Sequence, residues 1–390
     1  MLSGKTIVCY SGTNWGRNWG ITQRAMTAFA RTNKVIYIEY QPSFAHCWLR
    51  GASYIDYSSK GRGVFEKVSD NLTIYHPRPG LPFNNYARAV NVINQRTIAA
   101  DIRTALAGAS ARDVILWAFV PYAIDFVNGL DRSFTVYHCA ANYPAEKNNA
   151  LRRRTVMDME SALTGAADLV VAQTRSLLKR FESIGKKTFY LPSAVEARYS
   201  APDGAGASGR SPLLPDNSRP RIGIVGYFDD AFYDTDLLEY LVDARREWSF
   251  IFIGPVTGKA RSFKKLNGMP NAVFLGYREP QTVPGLLKGM DVGIIPYKVN
   301  SFMDEVSPNK FYEYIACGVP VVSTSLPDLK DYGDVIKIAG GKEEFLKHID
   351  YFLSASGKGS LREKAMETAA RHSLDGYMER LSAVIEGAMR

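Results

Sequence analysis

Asp304–Pro327 reads DEVSPNKFYEYIACGVPVVSTSLP, and the order of its signals sets the architecture. Ser307 and Pro308 announce a helix start. The hydroxyl can cap, and the ring, one residue on, suits the first helical position because its missing N–H would be unpaired there anyway. Glu305 then falls in the loop before that helix, Glu313 about one turn inside it, and Lys310 in its first turn. Lys310 stands beside backbone N–H groups without intrahelical partners, at the positive end of the helix dipole. A cation is disfavoured there unless an anion binds, so the pattern points to a diphosphate site. A capped surface helix with ordinary charges is the plainer alternative. Gly318-Val319-Pro320 ends the helix and turns into the strand VVST.

Outward from this stretch, strand and helix signals alternate. In the first half, Thr6–Ser11, Val35–Tyr40, Leu72–Tyr75, Val114–Phe119, Phe134–Tyr137 and Leu169–Ala172 read as apolar strands, with helices at Ile21–Thr32, Tyr86–Leu106, Arg154–Gly165 and Ser176–Ser183. Ala201–Pro220 (APDGAGASGRSPLLPDNSRP) is rich in Gly, Pro, Ser and Ala and reads as a linker. The alternation restarts with strands at Ile222–Val225, Phe250–Ile253, Val273–Leu275, Val292–Ile295, Val319–Ser323 and Val335–Ile338. Helices fall at Thr235–Arg245, Thr282–Gly289, Lys310–Ala316, Glu343–Ser354 and Leu361–Ala388. Continuous apolar strands between helices call for parallel sheets covered on both faces, with ligands at the carboxyl ends of the strands.

Glu305-(x7)-Glu313 followed by Ala316-Cys317-Gly318-Val319-Pro320 resembles the donor-binding motif of glycosyltransferases of the GT-B fold, above all those of family four. RIGIVGYFDD, FIFIGPV, NAVFLGYRE and DVGIIPY precede it in the order of that family, so the resemblance covers nearly the whole chain. The first half, with its early Trp-rich turn, ILWAFVP, TVYHCAANYPA and AADLVVAQT, is similar to polysaccharide-assembly enzymes of the teichuronic and xanthan type. The resemblance implies an α/β chain of GT-B fold, two Rossmann-like doubly wound domains facing across a cleft. Residues 1–199 would bind acceptor, 200–220 link, 221–365 bind a nucleotide sugar, and 366–390 form a helix packing back on the first domain.

The resemblance also implies roles. Glu313 would accept hydrogen bonds from ribose hydroxyls, Glu305 would contact the donor sugar near its reacting carbon, and Lys310 would hold the departing diphosphate. His138, read as following the strand FTVY, would face the donor sugar. Tyr277 and Arg278 would border the base and Tyr297 the phosphates. Gly226, Tyr227, Gly254, Ser307 and Asn309 complete the donor side. Gly12, Asn14, Trp15, Ala141 and Asn142 stand on the acceptor side, although packing on the sheet is the ordinary fate of a tryptophan. Two departures stand out. Ala141 occupies the place where related enzymes carry an aspartate base: the base is elsewhere, the reaction needs none, or an Asp has been replaced in this chain. Tyr227-Phe228-Asp229-Asp230 stands where family members carry a basic pair. The glutamate pair favours retention, as in family four, whereas the xanthan-type enzymes favour inversion through a carboxylate base, a choice that Ala141 leaves open.

The 390 residues carry 48 Lys+Arg and 39 Asp+Glu, a net charge of +9. Residues 1–199 hold 25 basic and 14 acidic side chains (+11), leaving 23 and 25 (−2) for the remainder. The basic half attracts polyanions. With the aromatic and basic run Phe44–Arg50, Lys60 and Arg62, it points to an anionic membrane surface and a saccharide or polyprenyl-diphosphate-linked acceptor. No RNA-binding or helix-turn-helix motif is present, so a basic nucleic-acid-binding protein is the weaker alternative, as is a nucleotide-sugar epimerase on the same fold. No apolar run reaches about 18 residues, and Met1–Lys5 lacks a secretory pattern. The expectation is a cytoplasmic protein, peripheral at the inner membrane face. Cys9, Cys47, Cys139 and Cys317 form no CxxC pair and read as reduced thiols. Asp234-Thr235-Asp236 starts a helix and reads as a cap. No cofactor and no metal is expected, and UDP is the default nucleotide.

Overall fold

The computed structural model describes residues 2–16, 19–45, 47, 63–145, 149–200, 211–215, 218–258, 260–354, 357, 359 and 361–390. The chain divides into two compact units, Met1–Pro192 with Met378–Arg390, and Ser193–Tyr377.

The first unit is built on an eight-stranded sheet. Its strands are β1 (Thr6–Tyr10), β2 (Lys34–Ile38), β3 (Val64–Ser69), β4 (Leu72–His76), β5 (Val114–Ala118), β6 (Phe134–Cys139), β7 (Leu169–Ala172) and β8 (Thr188–Tyr190). The spatial order is β3-β4-β2-β1-β5-β6-β7-β8. All neighbours run parallel except the β3–β4 hairpin. β5 and β6 are buried along their whole length, as strands covered by helices on both faces must be. One face packs Leu116, Ala118, Tyr137 and Val170 against Ile98 and Ile102 of the Arg88–Ala105 helix and Met159 and Leu163 of the Ala150–Ala166 helix.

The second unit holds β9 (Arg221–Val225), β10 (Ser249–Ile253), β11 (Ala272–Gly276), β12 (Val292–Ile295), β13 (Val321–Thr324) and β14 (Lys337–Ala339), all parallel, in the order β11-β10-β9-β12-β13-β14. From β9 the chain builds outward through β10 and β11, then crosses back to lay β12 on the other side. The order therefore reverses between β9 and β12, the place where open α/β sheets take ligands.

At that reversal the strands part. β12 pairs with β9 only through Val292↔Ile222 and Gly293↔Gly223. The phenol of Tyr314, from the Asn309–Ala316 helix, enters the gap. Its hydroxyl donates to the Gly223 carbonyl at 3.0 Å and accepts from the Val225 N–H at 3.0 Å. Its ring lies against Gly293, where a Cβ would meet Tyr314 Cδ1 at 2.6 Å. The helix is thus pinned to the sheet at the reversal.

Several elements depart from the sequence reading. β3 (VFEKVS) and β8 (TFY) are sheet-edge strands with no fully buried residue, so they lack the apolar run of a central strand. The Arg261–Leu266 helix is short and carries three basic residues. The C-terminal helix is two helices, Arg362–Arg371 and Leu374–Met389. The break falls where Ser373 bridges Val195 and the Leu374 N–H donates to the Val195 carbonyl at 2.9 Å. Of the linker stretch, residues 201–210 and 216–217 lie outside the described residues. Leu214 in it is buried in the core beside Gly289 rather than exposed. All four cysteines are free thiols. No helix among the described residues is long and apolar enough to cross a membrane.

Tyr314→Phe would leave a buried N–H and a buried carbonyl without partners, each costing roughly 1–3 kcal/mol. The expected loss is about 2–4 kcal/mol, read as a lower urea midpoint at unchanged slope. A midpoint equal to the parent's would refute the pinning role.

Candidate functional site

The site grows from the carboxyl ends of β9 to β12. Gly226 and Gly254 follow β9 and β10, and Gly276 ends β11. Gly254 has φ +136°, and a Cβ there would come within 1.8 Å of the Gly226 carbonyl oxygen, so only glycine fits. Past their ends the loops keep pairing: Phe228 N–H donates to Pro255 at 2.9 Å and Thr257 N–H to Phe228 at 2.9 Å. The glycines let neighbouring groups come close at the strand ends, the Gly226 carbonyl against Gly254 and the Tyr233 hydroxyl against Gly226.

The Asn309–Ala316 helix follows β12 in the chain. Glu313 is 2% exposed, and Lys310 Nζ donates to Glu313 Oε2 at 2.8 Å. The two side chains read from spacing as one constellation are in direct contact. Tyr297 follows β12, and burial raises its phenol pKa, with the Glu313 charge adding to the effect. Tyr297 packs edge-on to Tyr233 at 5.0 Å. Tyr277 donates to Glu279 at 3.4 Å, Arg278 Nη1 donates to the Tyr277 carbonyl at 3.3 Å, and Tyr227 is exposed.

The helix start differs from the reading of its sequence. Pro308, not Ser307, holds the capping position, and no side chain caps there. Glu305 sits on a 3-10 turn, Met303–Glu305, and the chain is extended at Val306. Ser307 is therefore swung inward: it is buried, and its Oγ has no hydrogen-bond partner among the described residues. Asn309, half-buried, is the first helical residue. Asp234 does cap, accepting from the Leu237 N–H at 3.0 Å. Among the described residues no group of three or more His, Cys, Asp or Glu side chains could hold a metal ion.

In the first unit the strand order reverses between β1 and β5, and the Gly12–Trp15 turn lies at β1's carboxyl end. Gly12 has φ +69°, and a Cβ there would meet Val120 Cγ1 at 2.7 Å. Asn14 is exposed, and its carbonyl accepts from Gln23 Nε2 at 3.0 Å. The Trp15 ring stacks edge-on to Tyr37 at 4.8 Å and tilts against Trp19 at 5.2 Å. The Trp15 N–H donates to Glu39 Oε1 at 2.6 Å. Glu39 Oε2 meets His76 Nδ1 at 2.7 Å, and His76 Nε2 meets Glu66 Oε2 at 2.9 Å. Sequence reasoning missed this carboxylate–imidazole–carboxylate chain. Its signal was a charged Glu39 inside the apolar run VIYIEY.

His138 requires a correction. It lies inside β6, in register with Val171, not in a loop after the strand. The apolar run stops at Tyr137, but pairing with β7 continues through Cys139. The imidazole is 0% exposed, stacks on Phe119 at 4.7 Å and 27°, and its pKa is lowered to about 3 by burial. It is a buried, neutral imidazole near the carboxyl end of β6.

Ala141 and Asn142 follow in a short bend. The Ala141 carbonyl accepts from Cys139 Sγ at 3.3 Å and the Tyr143 N–H at 3.1 Å, while Asn142 Oδ1 accepts from the Ala145 N–H at 3.1 Å. Glu160 lies beneath, tied by both Arg180 terminal nitrogens at 3.1 and 3.2 Å and by Tyr137 at 2.8 Å. A carboxylate so engaged is poorly placed to replace a base at 141. Of the expected membrane-facing run, residues 46, 48–50, 60 and 62 lie outside the described residues; Phe44 is 56% exposed.

Residues 219–370 match the family model described as glycosyl transferases group 1. The putative teichuronic acid biosynthesis glycosyltransferase TuaH of Bacillus subtilis is 26% identical over 208 residues, 49% of this chain and 50% of that protein. The chain thus spans about half the length of the curated relative it matches. Sucrose-phosphate synthase of Thermosynechococcus elongatus is 12% identical, with 98% of each chain covered and a TM-score of 0.75. HepE of Anabaena, solved in complex with UDP, is 13% identical over 98% of this chain and 99% of that one, with a TM-score of 0.67.

Two buried histidines differ in sign. The His138 pKa is depressed, so between pH 6.5 and about 3 the unfolded chain takes a proton that the folded chain refuses. Stability is lost as pH falls through that window, by roughly 1.4 kcal/mol per unit from this group. The His76 pKa is raised, first by its hydrogen bond to Glu39. Its contribution is complete below 6.5 and is lost as pH rises through the raised value. The stability difference between parent and His138→Gln should therefore grow with pH, and that for His76→Gln should shrink with it. Urea midpoints between pH 4 and 9 read both, and the same sign for the two would overturn this account.

Proposed function

We propose that this chain, which has the GT-B fold and matches the group 1 glycosyl transferases over residues 219–370, moves a sugar from a nucleotide-sugar donor to a saccharide acceptor. The observation that carries the reading is the Lys310–Glu313 pair at the start of a helix that opens on the reversal of strand order. A diphosphate at that helix start would take up the first-turn N–H groups and the buried Ser307 hydroxyl, while Lys310 turns from Glu313 to the phosphates. Glu313, freed of its lysine, has acceptor oxygens for the vicinal ribose hydroxyls. The UDP bound by the HepE relative supports uridine as the base.

In the transfer, the acceptor hydroxyl oxygen bonds to the anomeric carbon as the bond from that carbon to the phosphate oxygen breaks. The hydroxyl proton passes to a phosphate oxygen, and the nucleoside diphosphate leaves. Lys310 and the helix N–H groups face the charge that develops on the leaving group. With a methyl group at Ala141, the departing phosphate is the base, the acceptor attacks from the leaving-group face, and configuration is retained. These charge-stabilising groups sit on the chain itself, and the transfer as proposed uses no metal. Glu305 borders the donor sugar.

For the acceptor we propose a lipid-linked saccharide in surface polysaccharide assembly, a reading supported by the teichuronic acid biosynthesis role given to the Bacillus relative. The +11 balance of residues 1–199 and the exposed Phe44 and Phe83 rings suit work at an anionic membrane face on the cytoplasmic side.

A panel of nucleotide sugars tests this. One of them should raise the melting temperature of the parent by mass action. Lys310→Ala and Glu313→Ala should abolish that rise and lower kcat/KM on the order of 10²–10³-fold. A panel in which no nucleotide sugar stabilises the parent would end the reading.

A further inference from the structure

The Lys310–Glu313 pair carries no net charge, whereas a nucleoside diphosphate brings at least two negative charges to the site. A second cation is called for, and the loop after β9 has none: Tyr227-Phe228-Asp229-Asp230. The fold brings one from elsewhere. Lys298 lies three residues past the end of β12. Its N–H donates to the Phe232 carbonyl at 2.9 Å, and neighbouring Tyr297 bridges Tyr233. This zips the loop after β12 onto the loop after β9, across the point where β9 and β12 part. Lys298 Nζ reaches over and donates to the Asp230 carbonyl at 2.6 Å.

The bonding of that ammonium is telling. Its partner is a neutral carbonyl. Among the described residues it has no other hydrogen bond and no carboxylate at ion-pair distance. The Asp230 carboxylate accepts from the Ser262 N–H at 3.2 Å instead. An ammonium has three donors, and here two remain for a ligand with the charge undiminished. Arg278 is the other cation of this kind at the strand ends, but it follows β11 at the sheet's outer edge. Lys298, by contrast, follows β12, one of the two strands that part at the reversal.

We infer that Lys298 is a diphosphate-binding residue: it meets the phosphates of the nucleotide from the β9 side while Lys310 meets them from the helix side. The inference rests on the donor reading above. Lys310 must exchange one partner for another when the ligand arrives, whereas Lys298 is already held at the reversal by a carbonyl that does not quench it. Lys298 therefore supplies a standing positive potential for the incoming nucleotide.

Titration calorimetry on the full chain separates the outcomes, using UDP, GDP and ADP with uridine, guanosine and adenosine. Lys298→Met should weaken the tightest diphosphate tenfold or more, about 1.4 kcal/mol, and flatten the salt dependence of its affinity. The matching nucleoside should bind as before, Lys298→Arg should recover most of the loss, and Lys342→Met, at an exposed position, should change nothing. Unchanged diphosphate affinity in Lys298→Met overturns the inference and leaves the donor reading intact. Equal losses for nucleoside and diphosphate also overturn it, because they mark a merely structural lysine. If the parent binds none of the three diphosphates, the donor reading falls and this inference with it.

Discussion

Tyr314 joins two requirements that otherwise conflict. A ligand crevice at a strand reversal needs β9 and β12 to part, and parting strands strand their backbone groups. The single phenol hydroxyl answers both sides of the gap, the Gly223 carbonyl and the Val225 N–H. Unpartnered, those groups would pull the strands together or admit water. Because the phenol belongs to the Asn309–Ala316 helix, the bond that stabilises the gap also aims that helix. Lys310 and Glu313 precede Tyr314 on the same helix and inherit its orientation. Gly293 completes the arrangement, since any side chain there would strike the ring.

The electrostatics follow from that geometry. A buried Glu313 must be paired, because an isolated carboxylate in an apolar surround is costly. Lys310 supplies the pair from one helical turn away, at the end of the helix where a cation is least at ease. The pair is therefore satisfied and yet ready to rearrange: the lysine gains by turning toward an anion, and the glutamate then needs other donors. Ribose hydroxyls are such donors.

Much of this was legible in the sequence where one principle acts alone. The central strands announce themselves because burial on both faces demands continuous apolar runs, and β7 and β12 fall on the residues expected. The spacing of Lys310 and Glu313 put both at the start of one helix, although it did not announce the ion pair between them. What escaped was decided by long-range pairing. His138 looked like a loop residue because histidine is not apolar, yet β7 extends the strand past it. Ser307 looked like a cap, but the 3-10 turn at Met303–Glu305 shifts the helix start by one residue and sends the hydroxyl inward. Tyr314 drew no notice at all, because nothing local says that β9 and β12 will separate.

The same limit governs the cations. Reading along the chain, the loop after β9 is acidic, and a phosphate site there looks short of positive charge. Charge at a site is a property of space rather than of sequence order. The doubly wound plan makes residues after β9 and residues after β12 neighbours, although some seventy positions separate Phe228 from Lys298. A basic residue lost from one loop can thus be supplied by the other with no change to the fold, provided that the two loops are held together. The Tyr233–Tyr297 bridge and the Lys298–Phe232 bond hold them so. A search for a fixed motif would score this loop as defective, whereas the topology moves the charge to the other side of the same gap.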